Sequence, residues 1–420
     1  MKQHLKTCFV NIAIMNKKEV FAWGMYDLAN TIFSALFVTF FFPFYIKQFL
    51  GGNEFQIGLV FGLSMLAVAI LVPLIGAWSD AAGRRMPFII FFTIICCLFT
   101  WLVAGVSLKW ALSAGFLANF SYHAALTTYN ALLPKIANKR DIGNVSGIGT
   151  GMGYIGTLIS LAIAAILLSR LGWETSEGAR AIFSATAIMF FVFSLFTFFG
   201  IREKAAPIHF RGVISHIRSS FKAVSHTLTH LSRHRSFLFF LLAMFCFADA
   251  IHAVIVFLFL FARQQIHLSV QAFMVVYAIQ SMGAVAGSFI AGKLVDRHGP
   301  KRVLQWAGVA WLVVIGVLYF VNNLTMFIIA GVLGGAALGT VWTAQRPKLI
   351  EMVEHAKVGQ FFGFLELADK FSGVLGPIIF GALARFVSYQ AALISVMVFF
   401  ALGLFFLHKV PGRVINASDR

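Results

Sequence analysis

Long apolar stretches recur along the whole of this 420-residue chain, separated by short polar connections. A helix rises about 1.5 Å per residue, so roughly twenty mostly apolar residues cross the hydrocarbon core of a bilayer. Asn119 and His123 interrupt the weakest stretch. Read at that length, the sequence predicts twelve transmembrane helices, at 21–46, 56–78, 86–106, 110–133, 146–168, 181–200, 237–262, 270–292, 303–321, 325–344, 361–385 and 389–408.

The composition agrees with a chain that lies mostly in lipid. Hydrophobic residues make up 60% of it and charged residues 11%, whereas about one quarter of a soluble domain is charged. The net charge of +18 sits in short clusters between apolar runs, with no basic face to follow phosphates, so nucleic acid is not an expected partner. The four cysteines lack metal-ligand spacing. We expect no cofactor, no metal and a monomer in the lipid bilayer.

The positively charged residues predict the orientation of these helices. Lys and Arg are enriched in the cytoplasmic loops of membrane proteins. With the N-terminus placed inside, most of the 33 Lys and Arg fall in cytoplasmic connections, and both termini are cytoplasmic. The exceptions are Lys47, Lys109, Arg170, Arg180, Arg263 and Arg385 outside, and Lys370 within a span. The sequence therefore predicts a multi-pass protein of a cell (inner) membrane.

The longest polar connection, residues 202–236, divides the spans into two groups of six. Its apolar residues recur at helical spacing with basic residues between them, which is typical of a basic amphipathic helix on the inner leaflet. The predicted domains are a cytosolic segment at 1–20, a six-helix lobe at 21–201, the linker at 202–236, a second six-helix lobe at 237–408 and a cytosolic tail at 409–420.

One turn sequence occurs twice, each time between the second and third spans of a lobe. Both copies place Gly, Asp, Gly and basic residues at equivalent offsets. The first copy has Gly76, Asp80, Gly83, Arg84 and Arg85, and the second has Gly292, Asp296, Arg297, Gly299, Lys301 and Arg302. Two copies at equivalent places indicate a duplicated lobe rather than an ordinary basic turn.

The residue types of this turn suit a latch. The first Gly allows close helix contact, and the second permits a tight turn. The Asp can pair with an arginine or accept hydrogen bonds from N–H groups at a neighbouring helix start. We expect the two turns to hold the lobes together on the cytoplasmic side and to separate when that side opens.

The paired turns resemble the loop signature of the major facilitator superfamily, and the resemblance covers nearly the whole chain. Three further stretches, at 23–30, 129–137 and 359–377, resemble its vacuolar amino-acid effluxer-like branch. The resemblance implies an all-α membrane fold of two pseudo-symmetric lobes that exports amino acids or similar solutes. Two positions depart from the branch: Lys135 stands where an acid is expected, and Gln345 where an Asp is usual.

Several ionisable residues fall inside predicted spans, where a charge costs about 2.5–3.5 kcal/mol. Asp27 and Asp249 lie roughly 9 and 18 Å from the cytoplasmic ends of their helices. Asp249 has only His252 one turn away as a visible partner. Glu366 and Lys370 have the spacing of a helical ion pair, and Asp369 shares part of their face. We interpret this last group as a paired cluster that faces the interior, where it either contacts Asp27 across the helix-one interface or serves only as structural pairing. Asp27 or Asp249 is the candidate group that carries or senses a coupling proton.

A second set of polar side chains is expected near the middle of the membrane. His123 is more readily explained as a buried, satisfied histidine than as a substrate ligand. The candidate cavity residues are Asn30, Asn119, Tyr154, Gln280 and Trp342.

The glycines Gly151, Gly153 and Gly156 match a dinucleotide-binding spacing, but no strand precedes them and Gly147 and Gly149 extend the series. Close helix packing explains the series better.

The favoured function is a secondary active transporter that moves a small solute by alternating access, with protons as the candidate coupling ion. A lipid flippase or scramblase and a drug or siderophore exporter on the same fold remain alternatives. A membrane-embedded enzyme is disfavoured because no His, Asp and Glu cluster has catalytic spacing. A non-transporting receptor is disfavoured by the intramembrane acids Asp27 and Asp249.

Overall fold

Twelve long helices make up the described part of the chain. The structure is a computed structural model and describes residues 17–52, 54–105, 107–138, 140–173, 175–203, 235–268, 270–354 and 357–412. The helices are α1 Lys17–Phe33, α2 Glu54–Ala81, α3 Met86–Leu102, α4 Leu108–Asn130, α5 Ile142–Leu171, α6 Ser176–Gly200, α7 Arg235–Gln265, α8 Val270–His298, α9 Pro300–Tyr319, α10 Leu324–Met352, α11 Val358–Phe386 and α12 Tyr389–Lys409.

Each predicted span corresponds to one helix, and the fold class is confirmed. Over the described residues, eight helices are long and apolar enough to cross a membrane by length and composition alone. The uncertain span at 110–133 is the helix α4, and its Asn119 and His123 are buried. Met86–Leu102 is a further apolar helix, of 17 residues.

Helix α1 has a feature that the sequence did not predict. Its α-helical part passes into a π-helix at Ser34–Phe41 and then into a further α-helix at Phe42–Phe49. Where the α-helical part passes into the π-helix, the rings of Phe33 and Phe37 stack with their centroids 4.9 Å apart. Together these three segments are long enough to cross the bilayer and to extend beyond it at the N-terminal end.

The helices form two lobes, α1–α6 and α7–α12, which meet along two pairs of helices. Helix α5 packs on α8, and helix α2 packs on α11. These pairs are equivalent under the internal repeat, since α2 and α8 are second helices and α5 and α11 are fifth helices. The repeated turns lie at the same end of the bundle, which we call the motif face. This placement confirms the duplicated architecture.

Helix α5 uses its glycines on two faces. A Cβ at Gly147 would meet the Ser288 carbonyl oxygen on α8, and one at Gly153 would lie 2.7 Å from the Thr31 hydroxyl on α1. The series therefore lets α5 approach both neighbours closely, as predicted, and forms no nucleotide-binding turn.

Some predictions lie outside the described residues. These are most of the linker, at 204–234, the N-terminal residues 1–16 and the end of the tail, at 413–420. The side chains of Asp80 and Lys370 also lie outside the described part.

Candidate functional site

A buried ion pair joins the lobes near the motif face. The Asp27 carboxylate on α1 accepts from both terminal nitrogens of Arg346 on α10, at 2.7 and 3.1 Å. Arg346 also donates to the Thr150 hydroxyl at 3.3 Å and lies 5.4 Å from the centroid of the Trp23 ring. The side chains of Arg346 and Asp27 are 10% and 5% exposed, so the pair is shielded from solvent. A two-pronged guanidinium–carboxylate contact fixes orientation as well as charge.

A proline in α10 provides a second contact beside this pair. Pro347 has no N–H group, so the Thr343 carbonyl one turn earlier lacks its usual helical donor. The hydroxyl of Ser146 on α5 donates to that carbonyl at 2.6 Å. Because Ser146 belongs to the other lobe, the break in the helical hydrogen bonding becomes an inter-lobe hydrogen bond.

The second repeated turn holds the start of α5. The Asp296 carboxylate accepts from the N–H groups of Gly143 and Asn144, at 2.6 and 2.7 Å. These N–H groups belong to the first turn of α5, where backbone donors lack helical partners and the helix dipole favours an anion. The Asp of the second copy therefore makes one of the two contacts expected of it, with the backbone N–H groups at the start of a neighbouring helix.

The leading glycine of each turn lies against the start of a helix from the other lobe. A Cβ at Gly76 would collide with the Gly359 carbonyl oxygen at the start of α11. A Cβ at Gly292 would lie 2.8 Å from the Gly143 carbonyl oxygen at the start of α5. The two contacts are symmetric, and neither leaves room for a side chain.

The second glycine of each turn has the backbone conformation that the sequence predicted. Gly83 and Gly299 have φ values of +65° and +84°, which other residues rarely adopt. Pro300 follows Gly299 and opens α9.

The first turn is also held from its own lobe. Glu203 follows α6 and accepts from the N–H groups of Arg85 and Met86, both at 2.8 Å. Lys135 donates to Glu203 at 2.8 Å and to the Gly83 carbonyl at 3.3 Å. Lys135 stands where the resemblance to the effluxer-like branch predicts an acid, and it forms an ion pair with the acid Glu203.

The basic residues of the turns differ in their surroundings. Arg85 is buried, whereas Arg297 and Arg302 are exposed and Arg84 is half-buried. Lys301 donates to the His408 carbonyl at the end of α12, at 3.1 Å. No described contact gives Arg297 or Arg302 a part in joining the lobes.

Two histidine–carboxylate pairs lie deeper, on α11. His123 of α4 faces Glu366 at 3.7 Å, and this pair crosses between lobes. His252 of α7 faces Asp369 at 3.8 Å within its own lobe. Both separations are longer than hydrogen bonds. Among the described side chains, no contact joins Glu366 or Asp369 to Asp27, whose carboxylate binds Arg346.

Asp249 binds the backbone of α11 and not His252. Its Oδ1 accepts from the Gly376 N–H at 2.8 Å, while its Oδ2 has no hydrogen-bond partner among the described residues. A Cβ at Gly376 would collide with the Asp249 carbonyl oxygen. The carboxylate is fully buried and stands where Pro377 interrupts the helical hydrogen bonds of α11.

The remaining candidates lie apart from the inter-lobe pairs. Asn119 donates to the Ser64 hydroxyl at 2.8 Å within its lobe. Asn30 and Gln280 are buried, and Asn30 Oδ1 and Gln280 Nε2 lack partners among the described residues. Tyr154 and Trp342 are half-buried.

Arg346 is the functional residue that sequence reasoning missed. Hydropathy ended the tenth span at residue 344, so Arg346 counted as a basic loop residue. The helix continues to Met352 and carries the arginine inside the protein. An arginine within three residues of a predicted span end was the only local signal.

Apart from the deeper His123–Glu366 pair, these inter-lobe contacts lie at or near the motif face. They join the lobes through hydrogen bonds, ion pairs and glycine contacts, which break and re-form more readily than an apolar core. Polar contacts and close glycine contacts therefore join the two lobes at the motif face.

Comparison with known proteins agrees with this architecture. An uncharacterized MFS-type transporter of Bacillus subtilis (strain 168), YxiO, is 25% identical over 411 residues, which cover 94% of this chain and 95% of the relative. A multi-drug resistance efflux pump PmrA homolog of Lactococcus lactis is 21% identical and covers 86% of each chain. The crystal structure of the major facilitator transporter FucP in the outward conformation has a TM-score of 0.73 at 14% identity, over 95% of this chain and 99% of that one.

A family model described as "Vacuole effluxer Atg22 like" matches residues 56–143 and 138–413. The chain is a membrane transporter of the major facilitator superfamily and belongs to its Atg22-like family.

Proposed function

We propose that this protein exports a small solute, an amino acid or a similar metabolite, by alternating access coupled to protons. The motif face is cytoplasmic in this proposal, with both termini inside a cell (inner) membrane and a single chain as the working unit. The six-helix lobes 21–201 and 237–408 move as units on either side of the Asp27–Arg346 ion pair, which we call the lock.

One observation carries the proposal: the Asp27–Arg346 pair joins the lobes in a buried place. A transporter must close one side firmly and yet open it in each cycle. An ion pair between two lobes meets both needs because it holds in a dry interface and loosens when water enters. The family description and the efflux relative support export.

We assign different roles to the two acids that the sequence analysis treated as alternatives for the coupling proton. Asp27 is bound by both terminal nitrogens of a permanently charged guanidinium, which suits it to the lock. Asp249 is buried without a basic partner among the described residues and has one free carboxylate oxygen. A carboxyl group in such surroundings can accept and release a proton. We therefore assign the coupling proton to Asp249.

The test is a solute panel in proteoliposomes, with and without an imposed pH gradient. Amino acids form the main arm, and labelled phospholipid forms a second arm that detects flippase or scramblase activity. The decisive variant is Asp249→Asn, because its side-chain oxygen still accepts from Gly376 while the titrating proton is gone. We expect it to retain exchange of solute across the membrane and to lose the acceleration by the pH gradient.

Asp249→Ala is the matched control, since it removes the hydrogen bond to α11 as well as the proton. We expect it to impair both exchange and gradient-driven flux. Gradient-driven flux that is unchanged in Asp249→Asn would refute the coupling assignment. Movement of labelled lipid without movement of any solute would refute the proposed substrate class.

A further inference from the structure

Three aromatic side chains of the N-terminal lobe lie stacked beside the lock. The rings of Trp23 and Tyr129 are parallel to within 14°, with their centroids 4.8 Å apart, and the ring of Tyr26 lies 4.8 Å from that of Tyr129. All three residues are fully buried. The Tyr26 hydroxyl forms a hydrogen bond of 2.6 Å with the Thr93 hydroxyl. The stack therefore ties α1 to α3 and α4 within one lobe.

Trp23 and Tyr129 also exchange hydrogen bonds. The Tyr129 hydroxyl donates to the Trp23 carbonyl oxygen at 3.0 Å, and the Trp23 indole N–H donates to the Tyr129 carbonyl oxygen at a longer 3.5 Å. The Trp23 carbonyl lies one helical turn before Asp27. Stacking and hydrogen bonding together hold the indole ring, and the part of α1 that carries Asp27, in one orientation relative to α4.

Helix α5 packs directly against this arrangement. A Cβ at Gly149 would collide with the Trp23 ring and would lie 2.8 Å from the Asp27 carboxylate. The next residue, Thr150, presents its hydroxyl to Arg346 at 3.3 Å. All of these groups except Arg346 belong to the N-terminal lobe. We call the set that surrounds the guanidinium the arginine seat: Trp23, Asp27, Tyr129, Gly149 and Thr150.

Arg346 reaches the arginine seat from the C-terminal lobe. Its two terminal nitrogens donate to Asp27, and its guanidinium carbon lies over the Trp23 ring, 5.4 Å from the centroid. A guanidinium donates hydrogen bonds in its own plane, so its flat face needs a partner of another kind. An aromatic ring attracts a cation through its electron-rich face, and the attraction is stronger where water is excluded. Trp23 therefore supplies what the carboxylate cannot.

We propose that Trp23 and Tyr129 are positioning residues of the lock, which keep the arginine seat formed so that it receives Arg346 each time the motif face closes. The inference rests on the proposed alternation of the two lobes. Because the seat belongs to one lobe, it keeps its shape when Arg346 leaves, and closing does not require these side chains to be ordered again. Tyr129 acts through Trp23, since it holds the indole ring where the guanidinium arrives.

Fluorination of the Trp23 ring tests the cation contact without changing the shape of the side chain. Each added fluorine withdraws electron density from the face of the ring and weakens its attraction for a cation. The readout is the distance between spin labels at the exposed residues Arg140 and Lys357, one on each lobe, each changed to cysteine after the native cysteines are replaced by alanine. Asp296→Asn is included so that a weakened closed state leaves both distances measurable. We expect the ratio of closed to open molecules to fall with each fluorine, by about tenfold in the most fluorinated protein.

Trp311 on α9 is the matched control for fluorination. Its ring stacks on that of Phe400, parallel to within 13° and with centroids 5.2 Å apart, and it is buried. Among the described residues, no cation lies over it. We expect fluorinated Trp311 to leave the ratio unchanged. No effect at Trp23, or an equal decrease at both positions, would overturn the arginine seat.

Tyr129→Phe tests whether Tyr129 acts through Trp23. The variant keeps the stacked ring and removes the hydroxyl that binds the Trp23 carbonyl. We expect fluorination of Trp23 to have a smaller effect in Tyr129→Phe than in the parent, because the indole ring is no longer held against the guanidinium. If Tyr129 only stabilises the lobe, each fluorine lowers the ratio by the same factor with or without the hydroxyl, and that result would overturn its positioning role.

Tyr26→Phe is the matched control for this second test. It also removes one buried hydroxyl from the stack, but that hydroxyl binds Thr93. We expect fluorination of Trp23 to keep its full effect in Tyr26→Phe. An equal reduction of the effect in both variants would overturn the specific role of Tyr129.

The distance measurement needs no solute, so the two proposals fail separately. A protein whose closed state depends on fluorine at Trp23 but which moves none of the solutes would refute the proposed function and leave the arginine seat intact. A protein that transports solute and shows no dependence on fluorine at Trp23 would refute the arginine seat alone.

Discussion

The chain just after α4 and the last part of α10 occupy equivalent places in the two lobes, and they differ in one decisive residue. Leu133-Pro134-Lys135 closes the fourth helical region of the first lobe, and Arg346-Pro347-Lys348 lies at the equivalent place in the second. Leu133 is buried in the apolar core. Its counterpart Arg346 reaches across to the other lobe.

The lysines that follow the prolines perform the same task with different acceptors. Each binds the chain just after the sixth helix of its lobe. Lys135 binds the Glu203 carboxylate, whereas Lys348 binds the carbonyl oxygens of Pro411 and Gly412, at 3.1 and 3.4 Å. The repeated fold therefore fixes where each residue stands, and single substitutions decide which lobe carries the charge of the lock.

The largest effect is expected from removing that charge. Arg346→Met leaves the Asp27 carboxylate buried without its cation, which costs the closed state about 3–5 kcal/mol. The motif face should then be mostly open, as measured by the distance between spin labels at two exposed positions of that face, Arg140 on one lobe and Lys357 on the other, each changed to cysteine in a protein whose native cysteines are replaced by alanine. Leu133→Met, the change at the equivalent site, should cost less than about 1.5 kcal/mol and leave the distance short. Equal distances in the two variants would refute the lock.

Arg346→Lys separates charge from shape at the same position. A lysine keeps the positive charge but lacks the planar fork that meets both carboxylate oxygens. We expect an open fraction between those of the parent and Arg346→Met. An open fraction equal to that of Arg346→Met would show that the two-pronged contact, and not the charge, holds the gate.

The comparison also shows what the sequence was able to predict. Local patterns predicted the helices and the duplicated turns, because each depends on the spacing of residues within a short stretch of chain. The Asp27–Arg346 pair joins residues 319 positions apart, and no periodic pattern records such a contact. The Pro-Lys sequence recurs at the equivalent place of each lobe. Because the residue before it is Leu133 in one copy and Arg346 in the other, the repeat does not indicate that Arg346 binds Asp27.

The glycine contacts give the next largest effect. Gly292→Ala places a Cβ 2.8 Å from the Gly143 carbonyl oxygen, and overpacking of this kind costs about 1–3 kcal/mol. Because the strained contact exists only when the lobes meet, the change should shift the protein toward the open state. Gly316→Ala in α9 is the control, since a Cβ there meets nothing within 4 Å. A shift of equal size in both variants would show that the contact is not specific.

Asp296→Asn should have a comparable but smaller effect. The amide keeps one acceptor oxygen for the N–H groups of Gly143 and Asn144 but loses the charge that strengthens both bonds. Hydrogen bonds to charged groups contribute about 1.5–3 kcal/mol, so part of that amount should be lost from the closed state. Asp141→Asn is the control, because its side chain makes no capping bond to α5. A distance distribution unchanged by Asp296→Asn would contradict the assignment.

The smallest effect is expected at Lys135, and it tests the two lysines against each other. Lys135 is 43% exposed, so its pair with Glu203 should contribute about 0.2–1 kcal/mol and weaken in high salt. Lys348 is fully buried and binds uncharged carbonyl oxygens as well as Glu351. Thermal unfolding in detergent should therefore show a larger and less salt-dependent loss for Lys348→Ala than for Lys135→Ala. The reverse order would mean that the carboxylate, although nearer to solvent, is the stronger anchor for the end of a lobe.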